Sequence, residues 1–410
     1  MLVLHGPNAA ASTREIVVSA AEVCEPVFVF RESDIASDPV QYEMARRIAR
    51  TIRTAEPLAE DVVESVEFDG VTTFLDREVE TMDAISLRDF SSDRRSSWDK
   101  LVQRQTLFAA GLDTTRAVPV DSPEQLLSAA EEIGIPGVLK RRRGVSGDGL
   151  RFIRSLEELT NEVHERTAWD NLLYEQFLER GRHPSGLAWL EDYVSVDTVS
   201  TANSRTHPAL LDKYPLAISE RAGSDRNRIL LESGEVFPSR LPLDESRRVL
   251  EFCNSALDLL EINWRVTHTE LRVSEHGIHL IEVNGRTGGD VTQLVRDVAG
   301  IDTIRAALQL ALHQTPLIEV LDGEKVGACI DVGFSDRAGS VASDVSRKLL
   351  AGLEGVTRVV QIARKGDLRA ATGYRAACVF IEAKDFARLD VIANAVRRQI
   401  VEAFLSDETR

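Results

Sequence analysis

Glu270, Glu282, Asn284 and Arg286 crowd into residues 268–286, which read His-Thr-Glu-Leu-Arg-Val-Ser-Glu-His-Gly-Ile-His-Leu-Ile-Glu-Val-Asn-Gly-Arg. The run has the pattern of two strands joined by a tight turn at Glu275–Gly277. With Ser274 facing Ile278, the register sets Glu270 directly across from Glu282, and the period of two puts Asn284 on the same face as Glu282. Two carboxylates about 4 Å apart repel by roughly 4 kcal/mol at an effective dielectric of about 20, so a positive charge belongs between them. Two carboxylates and an amide oxygen are hard donors, which selects Mg²⁺ or Mn²⁺ over zinc, with phosphate oxygens and water completing the shell. The competing reading is a solvated hairpin face with both acids turned to water. Against it, Glu282 lies inside the apolar run His279–Val283, and Arg286, followed by Gly288, Gly289 and Asp290, closes the same strand. A guanidinium there can hold a transferring phosphoryl group or a developing oxyanion through bidentate contacts.

Phosphoryl transfer needs more positive charge than one metal site and one arginine supply. Lys140 ends a strand-like Gly137–Lys140, immediately before Arg141-Arg-Arg-Gly-Val-Ser-Gly-Asp-Gly149, and Lys100 opens a helix. Glycines 144, 147 and 149 let backbone N–H groups approach phosphates closely, with a flexible hairpin tip as the alternative, and the spacing is not G-x-x-x-x-G-K-[ST], which disfavours a P-loop. Lys213 is a further candidate for phosphate or substrate, with an ordinary surface lysine as the alternative. Glu175-Gln-Phe-Leu178, ahead of Gly181, has the form of a strand-to-crossover where backbone and carboxylate meet the edge of a base. The histidines show no metal-ligand spacing, no G-x-S-x-G elbow is present, and the four cysteines, too far apart for C-x-x-C, read as small buried apolar residues.

The elements that must position these groups follow from periodicity. Leu2–Leu4 and Val27–Phe30, separated by a helical stretch around Glu15–Val23, form an opening βαβ unit. It lacks G-x-G-x-x-G, which argues against a dinucleotide oxidoreductase. The polar stretch Ser91–Ser97 marks a boundary. Beyond it come a helix from Asp99 toward Ala110, a strand at Ala117–Val120, a helix capped by Ser122 and running through Ile133, and strand-like runs at Leu150–Ile153, Leu172–Leu178 and Tyr193–Thr201. A longer helix spans about Asp244 to Leu260. After Pro316 the strand-like runs Val326–Phe334, Arg358–Ile362 and Arg375–Glu382 and an amphipathic helix over Asp385–Phe404 read as a small α/β tail. The expected organisation is α/β throughout: an opening domain 1–96, a central domain 97–320 with a lid at about 115–180, and a tail domain 321–410. The 410 residues carry 49 Lys+Arg against 66 Asp+Glu, a net −17, which disfavours nucleic acid and anionic membrane surfaces as partners. No apolar run approaches the ~20 residues of a membrane span, and the start lacks a basic leader, so the expected location is the cytoplasm.

Taken in order over about Trp98 to Leu312, Lys100, Lys140 with its glycine loop, Glu175–Leu178, Glu270 and Ile281-Glu-Val-Asn-Gly-Arg286 resemble the ATP-grasp superfamily of carboxylate–amine ligases. The resemblance implies ATP held between two α+β subdomains, with Lys100, Lys140, Ser146 and Gly147 at the phosphates. Glu175, Gln176, Phe177 and Leu178 would lie at the adenine, and Glu270, Glu282 and Asn284 on magnesium or manganese. Arg286 would steady an acyl phosphate, with Lys213 assisting, and Gly288, Gly289 and Asp290 would line the substrate, Asp290 receiving an ammonium. Within the superfamily the chain looks most like the L-amino-acid ligases, through Asp212-Lys-Tyr-Pro215, Pro238-Ser239, His268-Thr-Glu270 and Gly373-Tyr374. Asn-Gly-Arg-Thr-Gly-Gly-Asp290 departs from the Asn-x-Arg-x-x-x-Glu-His of biotin carboxylases, which argues against bicarbonate as substrate. The implied reaction joins small carboxylic acids and amines, amino acids foremost, through an acyl phosphate, and the family points to a homodimer. A carboxylase or carbamoyl-type relative and a non-catalytic nucleotide-binding regulator are the alternatives.

Overall fold

The computed structural model describes residues 1–55, 66–88, 97–144, 149–213, 230–318, 325–334, 339–340, 345–365, 368–369 and 375–405. The opening segment is a parallel four-stranded sheet in the order Arg50–Thr54, Val27–Arg31, Leu2–Leu4, Val71–Thr73. Leu2–Leu4 and Val27–Phe30 are buried at every position, as strands covered on both faces must be. Ser12 and Glu15 form a reciprocal capping box that starts helix Thr13–Ala20. Phe28 and Phe30 share a core with Ile304 and Leu308, which seats this sheet on the central part of the chain.

The segment expected to form a lid is an antiparallel sheet ordered Ala117–Val120, Leu172–Gln176, Gly137–Arg141, Arg151–Ile153, packed by helices Pro123–Ile133 and Leu156–Glu165. Ser122 caps the first of these helices as expected.

Below it runs an eight-stranded antiparallel sheet: Gly277–Asn284, Arg265–Ser274, Tyr193–Ser200, Arg205–Lys213, Leu230–Phe237, Val326–Phe334, Arg375–Ala383, Val356–Ile362. The three long strands of the tail therefore extend the sheet that carries the glutamate hairpin, through continuous pairing of Leu230–Phe237 with Val326–Phe334. The expected mixed α/β class holds.

The hairpin register differs in one respect from the expected one. Ser274 pairs with Gly277 and Val273 with Ile278, leaving a two-residue turn, Glu275–His276, followed by Gly277 at φ +118°. The register then shifts by one between Leu271 and Glu270, with Ile281 as the extra residue, and this returns Glu270 to its place opposite Glu282. Arg104, from helix Lys100–Ala109, clamps the bulge by donating to the carbonyls of Leu280 and, at 3.2 Å, Ile281. Gln103 exchanges hydrogen bonds of 2.8 and 3.0 Å with the carbonyl and amide of Val283, satisfying the open edge of the sheet.

Candidate active site

The two glutamates face each other, and each is surrounded by cations. Glu270 accepts from the Tyr193 hydroxyl, with His268 Nε2 at 3.4 Å and Lys213 Nζ at 3.9 Å. Burial alone would raise its pKa, but Lys213, His268 and Tyr193 together hold the carboxyl far below the usual carboxylate range. Glu282 takes the Lys100 ammonium at 3.0 Å and the Asn284 side-chain N–H at 3.2 Å. The repulsion inferred from the sequence is thus relieved in part by protein ammonium and imidazolium groups, not by an ion alone. The three oxygen-bearing side chains Glu270, Glu282 and Asn284 remain a hard donor set that fits Mg²⁺ or Mn²⁺.

Lys100 sits at the N-terminus of its helix, where the macrodipole disfavours a cation. Its ammonium also donates to the Gly144 carbonyl at 2.9 Å, so it ties the glycine loop of the lid to the hairpin. Ser146 and Gly147 of that loop lie outside the described residues, as do Tyr214, Pro215, Gly373 and Tyr374.

Lys140 is buried on the inner face of the lid sheet, 2.7 Å from Glu175 Oε1, while Arg104 Nε donates to Oε2 at 2.8 Å. Burial, with Arg104 beside it, lowers the Lys140 pKa despite Glu175 and Glu282. The sequence reading offers the Glu175 carboxylate to adenine. In the structure both oxygens are engaged by these cations, because Arg104 reaches from the helix into the lid. Gln176 is exposed, Phe177 lies edge-on to Phe152 at 6.1 Å, and Leu178 is half-buried beyond the strand end.

Lys213 lies between Glu235 at 3.3 Å and Glu270, its ammonium 4.4 Å from the centre of the Tyr193 ring. Burial disfavours its charge, and Glu270 and Glu235 more than restore it, so its pKa is raised. Arg286 extends into the same field. Its Nη2 donates to Asp76 Oδ2 at 2.6 Å and its Nη1 to the Thr287 carbonyl at 2.8 Å. Burial opposes that charge too, but Asp76, Glu270 and Glu282 raise the guanidinium pKa above its ordinary value. Asp76 opens the turn Asp76–Glu78 of the first domain, which Arg31 fixes by a two-pronged bridge to Glu78 at 2.6 and 2.8 Å.

The segment after Arg286 passes over His268. A Cβ on Gly288 would lie 2.6 Å from His268 Nδ1, whereas one on Gly289 would meet nothing. Only glycine therefore fits at 288, and 289 faces open space. His268 donates to Asp197 at 2.7 Å, and Asp197 also accepts from Thr287 at 3.1 Å. Burial would lower the imidazole pKa, but Asp197 and Glu270 push it up to about 9. Asp290 follows at the start of helix Val291–Ala299, with its carboxylate 3.9 Å from the Cys378 thiol.

A cavity of about 320 Å³ opens where lid, hairpin end and first domain meet, lined by Asp76, Trp98, Lys100, Arg143, Gly144 and Asn284 among others. The structure thus brings Lys100, Lys140, Lys213, Glu270, Glu282, Asn284 and Arg286 together from five elements. Sequence reasoning missed Asp76 and Tyr193, which bond Arg286 and Glu270, and Arg104 and Asp197, which bond their neighbours Glu175 and His268. None carries a local signal: Asp76 lies 210 residues from its arginine, and Asp197 is concealed in an otherwise ordinary strand.

Residues 99–185 match the family described as carbamoyl-phosphate synthase L chain, ATP binding domain. The chain is 25% identical over 232 residues to alanine–anticapsin ligase of Bacillus subtilis, covering 52% of this chain and 46% of that protein. It is 26% identical over 194 residues to carnosine synthase 1 of Gallus gallus, covering 46% and 20%. The chain spans about half or less of the length of the curated relatives it matches. A crystal structure of L-amino acid ligase from Bacillus licheniformis superposes with a TM-score of 0.71 at 17% identity over 97% of both chains. No helix among the described residues is long and apolar enough to cross a membrane.

Proposed function

From the ATP-grasp fold that the chain adopts, we propose that it is an ATP-dependent ligase joining a small carboxylic acid to an amine, amino acids foremost, with release of ADP and phosphate. One observation carries this reading: a facing carboxylate pair on a hairpin, ringed by Lys100, Lys213 and His268, with Arg286 beside it and Lys140 in the sheet above. Relatives named as alanine–anticapsin ligase and carnosine synthase support the amino-acid part of it.

In this reading a substrate carboxylate oxygen attacks the γ-phosphorus of ATP, the bond to ADP breaks, and an acyl phosphate forms. The amine nitrogen then attacks the acyl carbon, phosphate leaves, and the nitrogen gives up a proton as the amide forms. Glu270, Glu282 and Asn284 would hold Mg²⁺ or Mn²⁺, which neutralises phosphate charge when bound. Lys100 and Lys140 bind the phosphate chain, and Lys213 and Arg286 face the transferring group and the acyl phosphate. Gly289 leaves room for the substrate, and lid closure keeps water from the acyl phosphate. No nucleophilic Ser or Cys is required.

The test is a pairwise screen of amino acids for phosphate release with Mg-ATP, with mass spectrometry of the products. An amide product that requires both amino acids supports the proposal, and phosphate release that depends on bicarbonate alone replaces it with the carbamoyl-type reading that the match over residues 99–185 favours.

A further inference from the structure

Cys329 and Cys378 lie on the neighbouring antiparallel strands Val326–Phe334 and Arg375–Ala383, where Cys329 pairs with Phe380 and Cys378 with Asp331. The thiols are therefore diagonal neighbours on one face of the sheet, both buried, with sulfurs 3.6 Å apart. Helix Val291–Ala299 packs on that face, and its leading residue Asp290 brings Oδ1 to 3.9 Å from Cys378 Sγ. One donor atom from each of the three residues lies within 4.8 Å of the other two.

A diagonal pair has Cα atoms about 7–8 Å apart, beyond the roughly 4.4–6.8 Å of a disulfide, so these cysteines are poorly set for an S–S bond. They are well set for a shared centre. Thiolates about 2.3 Å from a tetrahedral zinc ion stand about 3.8 Å apart, and a thiolate and a carboxylate on the same ion about 3.6 Å apart. The Cys329–Cys378 and Cys378–Asp290 spacings agree with these to within a few tenths of an ångström. Two thiols in simple van der Waals contact would have similar sulfur spacing; the Asp290 carboxylate adds a third donor of a kind that zinc takes. A second observation comes from the neighbouring strand. Glu235 is directly opposite Cys329 and shares its face, and although Glu235 Oε1 pairs with Lys213, its Oε2 is buried without a hydrogen-bond partner. An acceptor in that state calls for a donor, which a metal-bound water supplies.

We infer that Asp290, Cys329 and Cys378 form a binding site for a thiophilic divalent ion, zinc first, with a water next to Glu235 in the fourth position. Binding releases the two thiol protons to solvent and leaves both sulfurs at the thiolate oxidation level. The site is separate in chemistry from the hard-oxygen set at Glu270, Glu282 and Asn284, and it does not rest on the ligase reading. Its effect is to tie the end of the Arg286–Asp290 segment to the tail strands.

The reduced, chelator-treated full chain is titrated with Co²⁺ as an optical probe. The expected result is one Co²⁺ per chain with a thiolate-to-cobalt charge-transfer band, displaced by Zn²⁺. The band should be lost in Cys378→Ser and binding weakened about tenfold or more in Asp290→Asn. Absence of the band, its persistence in Cys378→Ser, or conversion of the reduced protein to a Cys329–Cys378 disulfide in preference to metal binding overturns the inference. Should Cys378→Ser fail to fold, Asp290→Asn and direct counting of zinc per wild-type chain after equilibrium dialysis decide the question, with substoichiometric zinc counting against it.

Discussion

Lys140 and Glu175 meet at 2.7 Å on one face of the lid sheet, and both side chains are almost wholly buried. Glu175 also holds Arg104, so one carboxylate keeps two cations inside the protein. Glu175→Ala removes the carboxylate that pairs with Lys140 and leaves Arg104 only Asp113, at 3.5 Å, as an ionic partner, and is expected to destabilise the fold by about 3–5 kcal/mol, read from urea denaturation. A loss below about 1 kcal/mol would mean that Lys140 and Arg104 are held by other groups.

Glu282→Ala removes one of the facing carboxylates and the ion pair to Lys100, which keeps its bond to the Gly144 carbonyl, while leaving the strand pairing intact. ADP formation with Mg-ATP should fall by more than about 100-fold, with a thermal transition close to that of the parent protein. Undiminished turnover in the folded variant removes the hairpin from the chemistry.

Asp76 aims Arg286 from a different domain, and its effect should appear in kinetics before stability. Asp76→Asn keeps one hydrogen bond but lowers the pull on the guanidinium. The expected outcome is a fall in kcat of about 10–100-fold at nearly unchanged KM for ATP. Equal kinetics in the variant would show that Arg286 is positioned by Thr287 and its neighbours alone.

His5 lies between Phe28 and Phe30, its Nε2 3.0 Å from Thr13 Oγ1. Burial, reinforced by Arg77, lowers its pKa from the usual 6.5 to about 4. The unfolded chain therefore binds a proton first, and the neutral imidazole contributes fully only above about pH 6.5. Roughly 3 kcal/mol is lost as the pH falls toward 4. Urea denaturation at pH 7 and pH 4.5 should show a smaller difference for His5→Gln than for the parent, and equal differences would exclude His5 as the source.

The pairing of Glu270 with Glu282 is legible from residue spacing, yet the route to it is not. The turn is one residue tighter than alternation implies, and the bulge at Ile281 offsets the error because Arg104 and Asp113 bind the backbone on either side of it. Local pattern finds the hairpin, the capped helix after Ser122 and the lysine at the end of Gly137–Arg141. It does not find the strand Arg205–Lys213 or the edge that Leu230–Phe237 offers to the tail, since strand partners are chosen by packing across long separations. The same limit hides Asp76 from Arg286. At Glu175 the spacing says nothing of the partners, since Arg104 reaches its oxygens only through tertiary folding.

The continuous sheet also orders events in time. Leu230–Phe237 leaves the ribosome about 90 residues ahead of Val326–Phe334, a delay of roughly 5–20 s at ordinary synthesis rates. Throughout that interval the growing chain displays a bare strand edge beside Lys213 and its neighbours, the kind of surface that recruits other chains. Slower translation of residues 238–334 lengthens the exposure and should lower the yield of native protein.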